Sequence, residues 1–551
     1  MLLYNSKRRN YTLFYLAVIL FLGVASRIYR LEAHSLWYDE STSVLERGGL
    51  NRLPALNKLF DKDFLIKNRD YLNLYSNSFI YYWQKLFNKT EFGLRLSSVI
   101  FSVLSIYLLY LLGKIVFDTR VARLSAFLLA ISPLHIYYSQ ELRPYAAACF
   151  FTTLSLYSFF KILNGGGKKY YFLYIIANVL NIYFFCISVI FLLPIFIFLL
   201  SKIKQYMQVF KRIIIADALI LFFALPVFLT LYPNLQFILS HKIDKAFSEF
   251  PIWGGEKVEF RHLIFTFKNF SIGYNVDYFS LIGRLATATY LTAFVWGVIT
   301  LYKNSGKRLI ILSLLIPILL LFLLSQIKTC YVDRYFFPVL PLYLLVSAAA
   351  LTRLGTKTLL LTIAMLIGFG FSGLKNYYSD YLPKDKDQFI GVGQRYDVRG
   401  AAKVILRHYQ SGDKIMHISK NTVFPLKFYI HRDGSSPDLI SEVDKGTVIF
   451  MSGSKKENKM LVLNYPGERP RSFLPKEYQP ASRQLAGNNR IWLLFSDFIF
   501  PQPDTQGYEL VNRISRRFKL IKLDKFDGVF LYLFGNDFRR DEREPQQYPP
   551  D

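Results

Sequence analysis

The chain has 551 residues, of which 52% are hydrophobic and 17% aromatic, and its mean hydropathy is +0.25. This composition excludes an ordinary soluble protein and indicates an integral membrane protein that contacts membrane lipids. The net charge of +28 does not indicate nucleic-acid binding, because most of the excess lies in short clusters between apolar runs. Such clusters are expected of topology signals and lipid-headgroup contacts.

Apolar runs long enough to cross a membrane recur up to about residue 374. The pattern predicts a transmembrane domain over residues 1–374, with a first outer loop at about 31–93. It predicts about eleven transmembrane helices, at approximately 11–30, 95–116, 121–137, 143–162, 170–186, 187–201, 212–233, 284–302, 308–326, 335–352 and 356–374.

Basic residues indicate the orientation of these spans. They precede the first span as Lys7, Arg8 and Arg9 and recur in every second loop, as at Lys168 and Lys169. By the positive-inside rule these loops are cytoplasmic, so the opposite loops and the C-terminal part of the chain face outward. The two close-set predicted spans near residue 186 are critical, because the orientation of every later loop would be inverted if only one of them crossed the membrane.

Beyond the last span, the sequence predicts an α/β domain over residues 375–536 on the outer side of the membrane, which the resemblance described below implies is the periplasmic side. The stretch "YDVRGAAKVILRHYQSGDKIMHIS" predicts a helix followed by a strand, and "GTVIFM", "RIWLLFS" and "DGVFLYLF" have strand length and composition. The tail at 537–551 is charged and rich in proline, which predicts disorder. In the first outer loop, "LPALNKLFDKDFLIKN" and "NSFIYYWQKLFN" are predicted to be interfacial helices.

Asp39 and Glu40 directly follow the first span, in "SLWYDEST". Trp37 and Tyr38 favour the membrane interface, where they would hold the acids. A carboxylate partly shielded from water there could act as a general base. The alternative is a pair of solvated loop acids.

Two further outer loops carry cations beside acids. "SQELRPY" contains Glu141, Arg143 and Tyr145, and a guanidinium there suits a lipid phosphate or an acidic neighbour. "KTCYVDRYFFP" contains Lys328 and Arg334 on either side of an acid. Both groups are predicted either to contact a phosphate or to be simple interfacial anchors.

A base and separate cations on one membrane face suit the transfer of a sugar from a lipid phosphate. The phosphate leaves as a stable anion that needs cationic stabilisation but no general acid. One base that takes a proton from the acceptor hydroxyl is then sufficient, and a direct displacement would invert the sugar carbon without a covalent intermediate.

The ordered set "RLEAHSLWYDESTS", "NKTEFGLRLSSVIFSVLSIYLL", "SPLHIYYSQELRPYAAACF" and "VDRYFFPVLPLYLLVSAAA" resembles the bacterial membrane glycosyltransferases related to protein O-mannosyltransferases and the lipid A aminoarabinose transferase. These enzymes have the GT-C fold. The resemblance covers almost the whole chain, including "DVRGAA" and "GDKI" at the start of the outer domain.

The resemblance implies a polyprenyl-phosphate-linked sugar as donor, catalysis on the periplasmic side of a bacterial inner membrane, and Asp39 as the base, with Glu40 beside it. It implies donor-phosphate or active-site contacts for Arg143 and Arg334, with Glu141, Tyr145 and Lys328 as further candidates. The acceptor could be a glycan, a lipid or a protein. No cofactor or metal site is implied by the residues, although a divalent metal remains possible.

Two other functions stay open. A catalytically inactive relative could act in envelope assembly and use the outer domain for binding. A lipid or sugar transporter would be expected to show inverted repeats and broken or charged segments near mid-membrane, and the sequence shows few of these features.

Overall fold

The computed structural model describes residues 2–45, 74–87, 89–240, 258–327, 331–385, 388, 392, 396–418, 420–434, 436–452, 459–464, 479–480, 490–496, 498–499, 502–503, 505–516 and 518–535. By their contacts these residues form two compact units, one drawn from 1–31 and 52–392 and the other from 32–51 and 393–551. The predicted interfacial helix at 53–68 and the predicted tail at 537–551 lie outside the described residues.

The first unit is helical. Its α-helices are α1 (Leu2–Ile28), α3 (Leu74–Leu86), α4 (Glu91–Val116), α5 (Thr119–Ile131), α6 (Pro133–Ser139), α7 (Tyr145–Leu163), α8 (Lys168–Phe184), α9 (Leu193–Ser201), α10 (Ile203–Phe223), α11 (Leu225–Ser240), α12 (Phe260–Ile272), α13 (Leu281–Leu301), α14 (Ser305–Ile327), α15 (Leu340–Leu351) and α16 (Thr356–Tyr378), while α2 (Tyr38–Val44) lies in the second unit. Three short 3₁₀ helices accompany them, at Cys186–Leu192, Asp333–Tyr335 and Phe337–Val339.

Each of the eleven apolar runs predicted as spans coincides with helix in the structure. Among the described residues, six helices are long and apolar enough to cross a membrane, and up to eight spans result if each of two bent pairs is one span. The predicted number of eleven is therefore not confirmed. The chain is a polytopic α-helical membrane protein, as predicted, and residues 77–86 of "NSFIYYWQKLFN" are helical in α3.

The two bent pairs have a proline at the break. Helices α5 and α6 meet at 60°, and α6 begins at Pro133, which has no N–H to donate into the preceding turn. Helices α10 and α11 meet at 52°, with Pro226 as the second residue of α11. The prolines thus end the first helix of each pair and begin the second, a position that their fixed φ favours.

The core of the first unit lies around α15. Every residue of α15 is buried, and the helix packs against α5, α13 and α14. Apolar side chains on other helices are exposed instead, such as Phe21 at 75% and Phe371 at 70%. A surface of this kind suits contact with lipid tails.

The second unit is built on a seven-stranded sheet with strand order β4-β3-β2-β1-β5-β9-β8. Strand β1 is parallel to β2 and β5, and the other neighbours are antiparallel. The strands are β1 (Lys414–His417), β2 (Thr447–Ser452), β3 (Lys459–Asn464), β4 (Gln479–Pro480), β5 (Arg490–Ser496), β8 (Lys519–Phe526) and β9 (Val529–Gly535), with β6 (Phe498–Ile499) and β7 (Gln502–Pro503) pairing separately.

Helices cover this sheet. They are α17 (Val398–His408), α18 (Val423–Asp433), α19 (Pro437–Lys445) and α20 (Thr505–Ser515). Ile491, Leu493 and Phe495 of β5 join a hydrophobic cluster with residues of α20, while Trp492 and Leu494 between them are also buried. Alternate residues point to opposite faces, so both faces of β5 are covered, as predicted for an α/β domain.

Candidate functional site

Three predicted site residues meet at one aromatic ring in the first unit. Tyr145 is the first residue of α7 and is only 3% exposed. The guanidinium carbon of Arg143 lies 6.0 Å from the centre of the Tyr145 ring, and that of Arg334 lies 5.9 Å from the same centre. Both distances suit a cation–π contact, so the two cations lie within about 12 Å of each other.

The Tyr145 ring is held by a cluster of aromatic side chains. Its centre lies 5.2 Å from the ring of Tyr138 and 5.8 Å from that of Phe185, both in edge-on geometry. Tyr138 is itself fixed by a hydroxyl–hydroxyl hydrogen bond of 2.7 Å to Tyr274 and by its contact with Phe337 at 4.6 Å. Such edge-on pairs are favourable, and together they give Tyr145 a defined position.

The turn that carries Arg143 is anchored by Gln140. The side-chain amide of Gln140 donates to the backbone oxygens of Arg27 at 2.9 Å and Tyr29 at 2.8 Å. Its side-chain oxygen accepts a hydrogen bond of 2.9 Å from the hydroxyl of Tyr377. Because all three partners belong to α1, its C-terminal turn or α16, the turn after α6 is tied to two other parts of the unit.

Glu141 is buried in the same turn, at 2% exposed. Its backbone oxygen accepts hydrogen bonds from the Ser98 hydroxyl at 2.7 Å and from the Arg143 backbone at 2.8 Å. The main chain of Glu141 therefore shapes the turn. Its carboxylate lies within electrostatic reach of the buried Tyr138 and Tyr274 hydroxyls.

Arg334 is presented by the 3₁₀ turn Asp333–Tyr335, and the neighbouring Asp333 anchors that turn. The Asp333 carboxylate is 5% exposed, and both its oxygens are hydrogen-bonded. One accepts from the Thr266 hydroxyl at 3.0 Å and the other from the Asn269 side-chain amide at 3.1 Å. Thr266 and Asn269 are three residues apart, which places them on one face of α12.

Lys268 adds a buried cation to this network. Its side chain is 0% exposed and its ammonium donates to the Asn269 side-chain oxygen at 3.1 Å. Helix α12 lies in the predicted outer loop rather than in a predicted span. Burial lowers the pKa of Lys268 to about 7, against the raising effect of Asp333, Asp277 and Asp385.

Gln388, more than a hundred residues after α12, also hydrogen-bonds to this network. Its backbone oxygen accepts from Asn269 at 2.8 Å, and its side chain bonds the Asp277 carboxylate and the Tyr278 backbone, each at 2.8 Å. None of the α12 residues was predicted as a site residue from the sequence. The available signal was a lysine, an asparagine and a threonine within the otherwise apolar stretch "LIFTFKNFSI".

The predicted catalytic acids lie in the second unit. Asp39 and Glu40 are in the first turn of α2. Glu40 is 0% exposed, and its carboxylate accepts a long hydrogen bond of 3.4 Å from the Trp37 backbone. Asp39 is partly exposed, and its backbone oxygen accepts from the hydroxyls of Thr42 and Ser43.

The segment around Asp39 is held by the C-terminal part of the chain. The Tyr38 ring packs edge-on against Phe424 of α18 at 5.3 Å. The Leu36 backbone donates to the Tyr429 hydroxyl at 2.7 Å, and the Ser35 hydroxyl donates to the Tyr396 backbone oxygen. The Asp39 backbone is thus positioned by contacts within the second unit.

The structure therefore brings Arg143, Tyr145 and Arg334 together, with Glu141 in the same turn. Asp39 and Glu40 are adjacent in the other unit, and Lys328 lies outside the described residues. Among the residues that the structure describes, no three His, Cys, Asp or Glu side chains form a group that could hold a metal ion.

Comparison with known proteins places this architecture. The sequence model of the dolichyl-phosphate-mannose-protein mannosyltransferases matches residues 76–231. The structure of ArnT from Cupriavidus metallidurans in the apo state matches with a TM-score of 0.56 at 11% identity, over 96% of this chain and 98% of that chain. The same protein bound to undecaprenyl phosphate matches with a TM-score of 0.56 at 11% identity, over 98% and 99% of the two chains. No curated protein sequence matches the chain significantly.

These matches define the class of the protein: it is a polytopic membrane protein with the GT-C fold. The family match covers residues 76–231, so the chain is similar over that part to the dolichyl-phosphate-mannose-protein mannosyltransferases, in line with the resemblance that the sequence motifs indicated.

Proposed function

We propose that the protein transfers a sugar from a polyprenyl-phosphate donor to an acceptor hydroxyl on the periplasmic face of a bacterial inner membrane. The observation that carries the proposal is the pair of guanidinium groups, Arg143 and Arg334, held against the Tyr145 ring. Because both groups contact the same ring, a phosphate bound beside that ring would meet two cationic donors. Arginine suits this role because its planar fork matches phosphate oxygens.

The comparisons support a lipid-phosphate donor. The matched ArnT structure is described as bound to undecaprenyl phosphate, and the matched family is named for dolichyl-phosphate-mannose. Both compounds contain a single phosphate group on a long polyisoprenoid chain. A donor of this type fits a chain whose first unit combines lipid-facing helices with two cations on one buried ring.

In the proposed reaction, the acceptor oxygen attacks the anomeric carbon of the sugar. The bond from that carbon to the phosphate oxygen breaks, and its electron pair leaves with the phosphate as polyprenyl phosphate. Arg143 and Arg334 stabilise the negative charge that develops there. Asp39 takes the proton of the acceptor hydroxyl, and a single displacement inverts the anomeric carbon.

The assignment of Asp39 as the base rests on the motif "SLWYDEST" and its resemblance to the family. The observed contacts favour Asp39 over Glu40, because the Glu40 carboxylate is fully buried and faces the backbone at the start of its own helix. A group that accepts a substrate proton needs access to the substrate.

The test is consumption of a panel of polyprenyl-monophosphate sugars by the purified full-length protein in lipid nanodiscs, with membrane extract as acceptor. Asp39→Asn is expected to lower turnover by about 10²- to 10⁴-fold, the usual contribution of a general base, without weakening donor binding. The matched control is Glu32→Gln, which neutralises an exposed acid of the same unit.

In the same assay, Arg143→Gln and Arg334→Gln are each expected to weaken binding of undecaprenyl phosphate about 10- to 100-fold, which corresponds to the loss of a charged hydrogen bond. Arg284→Gln, at an exposed arginine of α13, is the control. If the folded wild-type protein consumes no donor, a lipid-phosphate donor is ruled out and transport is tested next. If a donor is consumed equally by Asp39→Asn, Asp39 is not the base.

A further inference from the structure

We infer that Lys268 is a positioning residue that holds Arg334 in place for the donor phosphate, acting through Asn269 and Asp333. This inference rests on the proposed function, because it explains how one of the two proposed phosphate contacts is oriented.

The first step is the attachment of the Arg334 turn to α12. Thr266 and Asn269 each donate a side-chain hydrogen bond to the Asp333 carboxylate. The hydroxyls of Thr266 and Tyr331 lie 2.6 Å apart, so a residue two positions before the turn is tied to the same helix. The main chain that leads into Arg334 is therefore held at two points by α12.

The second step is the charge of Asp333. A carboxylate that is 5% exposed is costly unless a cation compensates it. Lys268 supplies a buried ammonium that Asp333 influences electrostatically and that bonds the same asparagine as Asp333 does. In the same turn, the Arg334 guanidinium lies against the Tyr145 ring, where the donor phosphate is proposed to bind.

The third step separates positioning from contact. The Lys268 side chain is 0% exposed, and its described hydrogen bond goes to a protein side chain. A group buried to this extent does not reach a substrate. Its effect on the donor must pass through Asn269, Asp333 and the turn that follows.

The experiment measures the affinity of the full-length protein for undecaprenyl phosphate in nanodiscs. Lys268→Met keeps the length of the side chain and removes its charge, and it is expected to raise Kd about tenfold. Lys375→Met is the matched control, because Lys375 is exposed at the end of α16 in the same unit. The control is expected to bind as the wild type does.

A double variant tests whether Lys268 acts through Arg334. If it does, Lys268→Met combined with Arg334→Gln binds no more weakly than Arg334→Gln alone, because the effects of two residues in one chain of contacts are not additive. A purely structural effect of Lys268 would add to that of Arg334. The inference would therefore be overturned if the fold-loss of affinity in the double variant equalled the product of the two single-variant losses.

Thr266→Val serves as a milder variant if Lys268→Met does not fold. It removes the hydrogen bonds of Thr266 to Asp333 and Tyr331 and leaves Lys268 and Asn269 in place, and a severalfold loss of affinity is expected. If the wild type binds undecaprenyl phosphate and the folded Lys268→Met or Thr266→Val variant binds it with the same affinity, this inference alone is overturned. Absence of binding by the wild-type protein would instead overturn the proposed function.

Discussion

Tyr145 owes its place in the site to its ring rather than to its hydroxyl. Both arginines approach the ring, and the ring is packed between Tyr138 and Phe185. A cation over an aromatic face gains from the negative potential of that face, which phenylalanine also provides. Replacement of Tyr145 by phenylalanine therefore keeps the aromatic face, whereas replacement by leucine removes it.

Tyr145→Phe is expected to keep its affinity for undecaprenyl phosphate within about twofold, while Tyr145→Leu weakens it about 3- to 30-fold, the equivalent of one or two cation–π contacts. Equilibrium binding in nanodiscs measures both. Equal losses in the two variants would show that the hydroxyl, not the ring, is required.

At the scale of the helix, the break between α5 and α6 depends on a residue of α1. Arg27 is 0% exposed and donates to the carbonyl oxygens of Leu129 at 3.1 Å and Ala130 at 3.0 Å, at the end of α5. The guanidinium also lies 2.6 Å from a ring nitrogen of His135, in the first turn of α6. Because α5 ends before Pro133, the Leu129 and Ala130 oxygens lack their usual helical backbone donors, and the guanidinium donates to them instead.

Arg27→Met is expected to destabilise the first unit by about 1–3 kcal/mol in total, because the Leu129 and Ala130 oxygens keep only the longer hydrogen bonds from Ser132 at 3.4 Å and Ser26 at 3.5 Å. Thermal unfolding of the full-length protein in nanodiscs measures this loss. Arg353→Met, at an exposed arginine, is the control. Equal melting temperatures for the two variants would show that the break is stable without Arg27.

The sequence predicted the positions of the helices well and the contacts between them poorly. Every span predicted from hydropathy coincides with helix, because burial in lipid and burial in protein both require apolar residues. Hydropathy did not predict where α5 would bend or which guanidinium would cap it. It also missed Lys268, because the charges that make a buried lysine tolerable come from residues such as Asp333 and Asp385, far along the chain.

The same limit applied to the segment around Asp39. The motif identified the acid, but the contacts of Tyr38 and Leu36 with α18 depend on residues almost four hundred positions later. Arg143 and Arg334 were each predicted from their own loops. Their meeting at Tyr145 could not be predicted, since nothing in either loop encodes the distance to the other.

At the scale of the whole molecule, the second unit is expected to be sensitive to acid because of His417. This residue of β1 is 1% exposed, its ring lies 2.8 Å from the Thr422 hydroxyl, and burial lowers its pKa to about 3. Between pH 6.5 and 3 the unfolded chain therefore binds a proton that the folded unit does not. Stability is fully present above pH 6.5 and falls by up to about 5 kcal/mol as the pH drops to 3.

Hydrogen exchange at β1 and β5 in the full-length protein measures this loss. His417→Gln, which cannot take up a proton, is expected to show a smaller loss of protection over the same pH range. Identical losses in the variant and the wild type would assign the acid sensitivity to other groups.

The distance in sequence between the two arginines has a consequence for biosynthesis. Arg143 and Tyr145 emerge from the ribosome long before Arg334, by on the order of 10 to 40 s at ordinary rates of translation. During that interval a nascent chain has only one of the two cations that meet at Tyr145. If the two arginines bind the donor phosphate as proposed, a partly made protein holds little of the carrier lipid, and full affinity arises only near the end of membrane insertion.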